Sequence, residues 1–188
     1  MRPRVASIRL RTLLAFGLVL GAAFAPQGAS ARVLRVEIET REPYAGGVEF
    51  GERGAYERLD GRIYFAFDPN HPANARIVDL ALAPTRDDGQ VEAWSEIRVL
   101  QPADPERRRK LALVGVVNRG RRLSLATFNG VPMGFPGLPA AGPEPPAWGD
   151  GFLMRAGLTL IWIGWQHDAP PSPDSLRLRV PAARALDG

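Results

Sequence analysis

G-F-L-M-R-A-G-L-T-L-I-W-I-G-W-Q-H-D, residues 151–168, decides how the rest of this chain is read. Asp150 stands where a helix is capped, and Phe152, Leu153 and Met154 give a short helix its apolar side chains. Gly157 sits where a left-handed stop ends a helix. Leu158 to Trp165 then forms an almost unbroken apolar run, rich in β-formers and too short to cross a bilayer. A strand that is apolar on both faces belongs inside a parallel sheet covered by helices. Upstream, Leu111 to Val117 (L-A-L-V-G-V-V) repeats the pattern and also ends in a polar tip, Asn118-Arg119-Gly120. The pair predicts a β-loop-α-β unit with Leu111–Val117 and Leu158–Trp165 as parallel neighbours. In open α/β sheets, chemistry gathers past the carboxyl ends of such strands. Those ends are N-R-G and W-Q-H-D, which makes Trp165, Gln166, His167 and Asp168 candidates for the rim of a site.

Several runs carry a resemblance. V-N-R-G, the 151–166 stretch and L-R-L-R-V-P-A-A lie in the second half of the chain. F-G-E-R-G-A-Y-E-R-L-D-G-R-I-Y-F-A-F-D-P and I-V-D-L-A-L-A-P lie in the first. As a set they resemble the amino-terminal part of a bacterial α/β-hydrolase-domain family with long exported members, over most of the chain after residue 32. The resemblance implies an α/β fold: a β-rich layer over 32–105, then the start of a mainly parallel, hydrolase-like sheet over 106–188, as an incomplete domain. It also implies hydrolysis of a small-molecule ester or amide. Members of that family continue beyond the point where this sequence stops.

Charge argues against nucleic acid. The formal net charge of +4 comes from 24 basic and 20 acidic residues. Arg2, Arg4, Arg9 and Arg11 precede the first acid, Glu37; without those four the two signs balance. A near-neutral chain lacks the electrostatic footprint that phosphate backbones require. The same arginines read as the n-region of a signal peptide over 1–31. Leu13 to Ala25 makes the apolar h-region, and Ala29-Ser30-Ala31 makes the cleavage site. No Arg-Arg pair precedes the apolar run, which points to the ordinary secretion route. The chain is therefore expected in the periplasm or secreted, with no stable membrane anchor after cleavage. With no cysteine in the sequence, disulfides and thiolate metal sites are excluded.

The order of elements from Arg32 is β-rich. Leu34, Val36 and Ile38 alternate with Arg35, Glu37 and Glu39, the period of a half-exposed strand. Asp60-Gly61 reads as a hairpin turn. Ile77–Leu82 and Val91–Leu100 read as a second pair of strands around Arg86-Asp87-Asp88-Gly89. Asp104 to Lys110 is a charged turn. Residues 121–149 lose periodicity and are rich in proline and glycine; they read equally as a surface linker or as a flap bringing Phe128, Met133 and Phe135 over the strand tips.

The chemistry is incomplete. A hydrolase of this kind needs G-x-S-x-G, an acid and a histidine. None of Ser7, Ser30, Ser95, Ser124, Ser172 and Ser175 has that setting, and only His71 and His167 are present. No catalytic residue is therefore assigned. The loop after the third strand of such hydrolases donates a main-chain N–H to the oxyanion hole, and by resemblance Asn118, Arg119 and Gly120 occupy that place. The alternative is a tight turn closing the strand. No metal site and no cofactor is expected, since two distant histidines with scattered carboxylates do not make a ligand cluster. Two functions stay open: the nucleophile-free amino-terminal portion of an exported hydrolase, or a non-catalytic exported β-rich binding domain. Export makes a direct prediction. Amino-terminal sequencing of exported protein should begin at Arg32; Met1 retained in a membrane fraction would instead establish an anchor.

Overall fold

The computed structural model describes residues 31–131, 147–172 and 174–184. Residues 1–30 of the signal peptide expected over 1–31, and Met133 and Phe135 of the expected flap, lie outside the described residues. The described part is organised on one six-stranded sheet. Strand β1 spans Ala31–Pro43, β2 Tyr56–Phe67, β3 Val91–Pro102, β4 Ala112–Val116, β5 Thr159–Ile163 and β6 Leu178–Arg179. Two short helices, α1 (Ser124–Asn129) and α2 (Phe152–Arg155), lie between β4 and β5. The order across the sheet is β1-β2-β3-β5-β4, with β6 pairing the other end of β3.

This order corrects the expected fold class. The sheet is mixed and mostly antiparallel, and the β-rich segment is the same sheet as the later strands rather than a separate layer. The cause is β3. It pairs antiparallel with β2 on one side, and with both β5 and β6 on the other. The parallel element is confined to β4–β5, registered from Ala112 opposite Thr159 to Val116 opposite Ile163. Nor are those two strands buried on both faces. Val114 and Val116 are 56% and 74% exposed on the sheet's edge strand, so an apolar run here marks an edge with one uncovered face.

Two turn expectations also fail. Asp60-Gly61 lies in the middle of β2, opposite Arg98 and Ile97 of β3. Gly61 does not use a positive φ. It is needed because β1 passes so close that a Cβ would collide with the Glu37 carbonyl. Asp60 is spent on ion pairs with Arg58 and Arg98. Ile77–Leu82 is not a strand; Asp79 adopts a left-handed φ of 59° and a single 3-10 turn follows at Leu80–Leu82. The reversal at Arg86–Gly89 does form, with Arg86 N–H donating to Gln90 O at 2.8 Å.

The 151–168 stretch behaves as its local chemistry demands. The Phe152 N–H donates to Asp150 Oδ1 at 2.8 Å, and Gly157 ends α2 with φ 75°. The aperiodic segment does contain a helix at its start, α1, and buried Asn129 staples it to the chain beyond. Asn129 Nδ2 donates to Trp148 O at 2.8 Å while its Oδ1 accepts from Leu153 N–H at 3.0 Å.

The main core cluster sits on the face of the sheet that carries Leu100, Leu160 and Trp162, while Leu59, Ile63, Val91, Ala93 and Ile97 are buried on the alternate face. Phe50, Tyr56, Leu100, Val117, Leu153, Met154, Leu160, Trp162 and Leu176 form one cluster. Phe50 stands edge-on to Tyr56 at 5.6 Å and to Trp148 at 6.3 Å. Tyr56 is fully buried, and its hydroxyl lies 3.0 Å from both Met154 O and Leu158 O. That hydroxyl fastens the end of α2 and the start of β5 to β2, and burial pushes its pKa up to about 12. Replacing it by Tyr56→Phe keeps the ring and removes the hydroxyl's donor from the Met154 and Leu158 carbonyls, of which Met154 O still accepts from Gly157 N–H at 2.8 Å. The expected cost is about 1–3 kcal/mol of unfolding free energy, measured by urea denaturation; an unchanged midpoint would show that the hydroxyl holds nothing.

Candidate functional site

The site grows from the parallel pair. Because β4 and β5 run the same way in register, their carboxyl ends emerge side by side, bringing Asn118-Arg119-Gly120 next to Trp165-Gln166-His167-Asp168. Asn118 N–H donates to Arg121 O at 3.1 Å and Arg121 N–H returns the bond to Asn118 O at 3.0 Å. Between them Arg119 and Gly120 have φ of 50° and 83°, the pattern of a primed two-residue turn. Only glycine adopts such a φ freely; for arginine it costs about 1–2 kcal/mol.

The second tip stabilises that strain. Arg119 N–H donates to Gln166 Oε1 at 2.8 Å, and the Arg119 guanidinium holds Asp168 through Oδ2 at 2.7 Å and through its carbonyl at 3.2 Å. The Arg119 hydrogen bond keeps the Asp168 carboxyl below its usual range. Trp165 is half exposed, and its indole N–H donates to Val117 O, bracing β4 from the neighbouring tip. Thus Arg119, Gly120, Gln166, Asp168 and Trp165 form one assembly. Since the Arg119 amide is already given to Gln166, the main-chain donor this turn has left to offer is that of Gly120. His167 is not part of the assembly. It lines a separate apolar cavity of about 470 Å³ with Phe67, Ile77, Leu80 and Val180.

A second group, missed in the sequence, lies beside the turn. Arg122 Nη2 pairs with Asp174 at 3.1 Å and Arg98 Nη1 pairs with the same carboxylate at 3.2 Å. Arg122 also donates to Asp174 O at 2.8 Å, and Leu176 N–H donates to Gly120 O at 3.1 Å. These bonds seat residues 174–176 on the N-R-G turn. A Cβ on Gly120 would collide with Ser175, so this glycine answers to close approach as well as to φ. Arg122, with Arg98 adding to its effect, keeps the Asp174 pKa below the ordinary 3.8. A depressed carboxyl contributes above its unfolded value and is lost only as pH falls through the lower folded one. The tie is therefore complete above pH 3.8 and weakens only below it. The signal in the sequence was the run R-G-R-R at 119–122 facing an acid six residues past the second tip.

Ser95, Ser124 and His71 have structural work. Buried Ser95 donates to Gly164 O from within β3, and Ser124 Oγ accepts from the Trp162 indole at 3.2 Å. His71 Nδ1 accepts from Ala73 N–H at 3.1 Å and caps a 3-10 turn. Among the described residues no Ser–His hydrogen bond occurs and no cluster of three or more His, Cys, Asp or Glu could hold a metal ion. No helix of the described residues is long and apolar enough to cross a membrane. No family model, no curated protein and no solved structure matches the chain.

Gln166 is the clasp that this geometry singles out. Gln166→Ala should free the Arg119 amide, and its hydrogen exchange should accelerate about fivefold to thirtyfold, corresponding to loss of a bond worth about 1–2 kcal/mol. Exchange at Leu160 in the core should not change. Equal acceleration at both positions would mean that Gln166 supports the whole fold and not this turn.

Proposed function

We propose that this chain is the substrate-facing, nucleophile-free portion of an exported hydrolase of small esters or amides, and that it has no turnover of its own. The observation that carries this reading is the joined pair of tips. A turn whose buried Gly120 N–H has no hydrogen-bond acceptor among the described residues is held by Gln166 and Asp168, just past the end of the adjacent parallel strand. A donor aimed in advance at a developing negative charge stabilises a transition state without reorganising. Such a donor does nothing by itself: acyl transfer also needs an activated nucleophile and a base within hydrogen-bond reach. Ser95, Ser124 and His71 are engaged in the fold, and His167 lines another cavity.

The second reading, a non-catalytic exported β-rich binding domain, is favoured by the mostly antiparallel sheet and by the same missing pair. The gene separates them. An open frame running past Gly188 into a G-x-S-x-G elbow and a later histidine supports the hydrolase; a frame closing there supports the binding domain. For the chain itself, both readings expect no saturable release of chromophore from a short-chain nitrophenyl ester beyond that of an equal mass of inert protein. Turnover abolished by replacing a single serine would contradict both.

A further inference from the structure

Beside the joined tips lies a cavity of about 530 Å³, within the range of small-molecule sites. Arg119, Arg121 and Arg122 line it, and Asp174 is the one acid among its lining residues. We propose that this cavity binds the carboxylate or phosphate group of a small soluble ligand.

The charges there are poorly matched without one. The Asp174 side chain is 80% exposed and is shared between Arg122 and Arg98, while Arg98 also pairs with Asp60. Asp168 is used by Arg119. Arg121 makes no ion pair among the described residues. Arg122 is mostly buried, its side chain 19% exposed. Burial and the neighbouring Arg98 both work against its charge, which an incoming anion would relieve. Ser175, also in the lining, has a buried Oγ with no hydrogen-bond partner among the described residues. A hydroxyl donor without an acceptor, set among guanidinium forks, suits a planar carboxylate or a phosphate face. A polyanion fits less well, since after residue 31 the basic and acidic counts are equal and the positive charge is local to this cleft.

The inference names a substrate class for the proposed site, and rests on that reading only in calling the bound acid part of a substrate. Titration calorimetry of the full chain with inorganic phosphate, and separately with succinate, tests it at an ionic strength held constant by sodium chloride. Saturable binding of at least one of them, near one per chain, is expected. Arg121→Gln, which breaks no ion pair, should weaken it about tenfold. Arg121→Lys should fall between, since it keeps the charge and loses the fork. Ser175→Ala should weaken it with the melting temperature unchanged. Arg86→Gln, at an exposed arginine paired with Asp88 and Glu92 in another loop, should leave affinity as it was. Heat that does not saturate with either anion, or equal weakening by Arg86→Gln, overturns the proposal. So does binding of heparin without binding of either small anion. None of these failures touches the hydrolase reading, which the downstream frame decides.

Discussion

Strand β3 is the constraint from which the rest follows. Both its edges are paired antiparallel, and along one of them two separate segments, β5 and β6, are laid end to end. The junction between them is Gly164. Its N–H donates to Glu96 O at 3.0 Å and its carbonyl accepts from Ser95 Oγ. Any Cβ there would press within 2.5 Å of Arg177 N, so glycine alone lets the chain leave β3 and return. Glu96 receives the returning chain: its carboxylate accepts from Arg177 N–H at 2.7 Å and its own N–H donates to Arg177 O at 3.1 Å. What lies between departure and return is the W-Q-H-D tip and the loop carrying Asp174. The candidate site is thus the excursion that β3 permits.

The energetics divide the sheet's core face along its length. One end carries Tyr56, Leu100, Leu160 and Trp162, and burying side chains of this size stabilises by about 1.5–3 kcal/mol each. The other end carries an arginine lattice. Arg35 stacks on Tyr64 at 3.4 Å, Arg62 on Trp94 at 4.6 Å, and acids of β1 pair with both. Exposed pairs of this kind contribute little each. Their larger effect is on β1, an almost wholly exposed edge whose charged side chains discourage further pairing. On the opposite edge Val114 and Val116 are bare, and β4 has no such protection.

Local chemistry was legible in the sequence, and pairing was not. Asp150 capping, the Gly157 stop and the reversal at Arg86–Gly89 each depend on a few adjacent residues, and each formed; β1 formed as a strand, but its apolar positions Val36 and Ile38 are exposed instead of facing a core. The side-by-side placement of Leu111–Val117 and Leu158–Trp165 also followed from their shared apolar character. Which way β3 would run beside β5 depends on where a strand nearly sixty residues away arrives, and periodicity carries no such information. An apolar run also cannot say whether helices cover it, which is why β4 read as buried when it is an edge. Asp60-Gly61 misled for a different reason: glycine serves both turns and close strand approach, and only the neighbour decides. At the site, the polar tips were legible because they end apolar runs. The Arg122–Asp174–Arg98 group was not, because its members come from three separate segments.

The chain has no cysteine, so engineered pairs report strand direction without interference. The register sets Val99 opposite Ile161 and Ile97 opposite Ile163. Facing residues of an antiparallel pair stand about 4.5–5.5 Å apart at Cα, within the span of a disulfide. Mild oxidation of Val99→Cys/Ile161→Cys and of Ile97→Cys/Ile163→Cys should therefore cross-link both proteins, and Ile97→Cys/Thr159→Cys should stay reduced. A cross-link in the 97–159 pair, with none in the 97–163 pair, would mean that β3 and β5 run parallel, and the mixed sheet on which the site is built would be wrong.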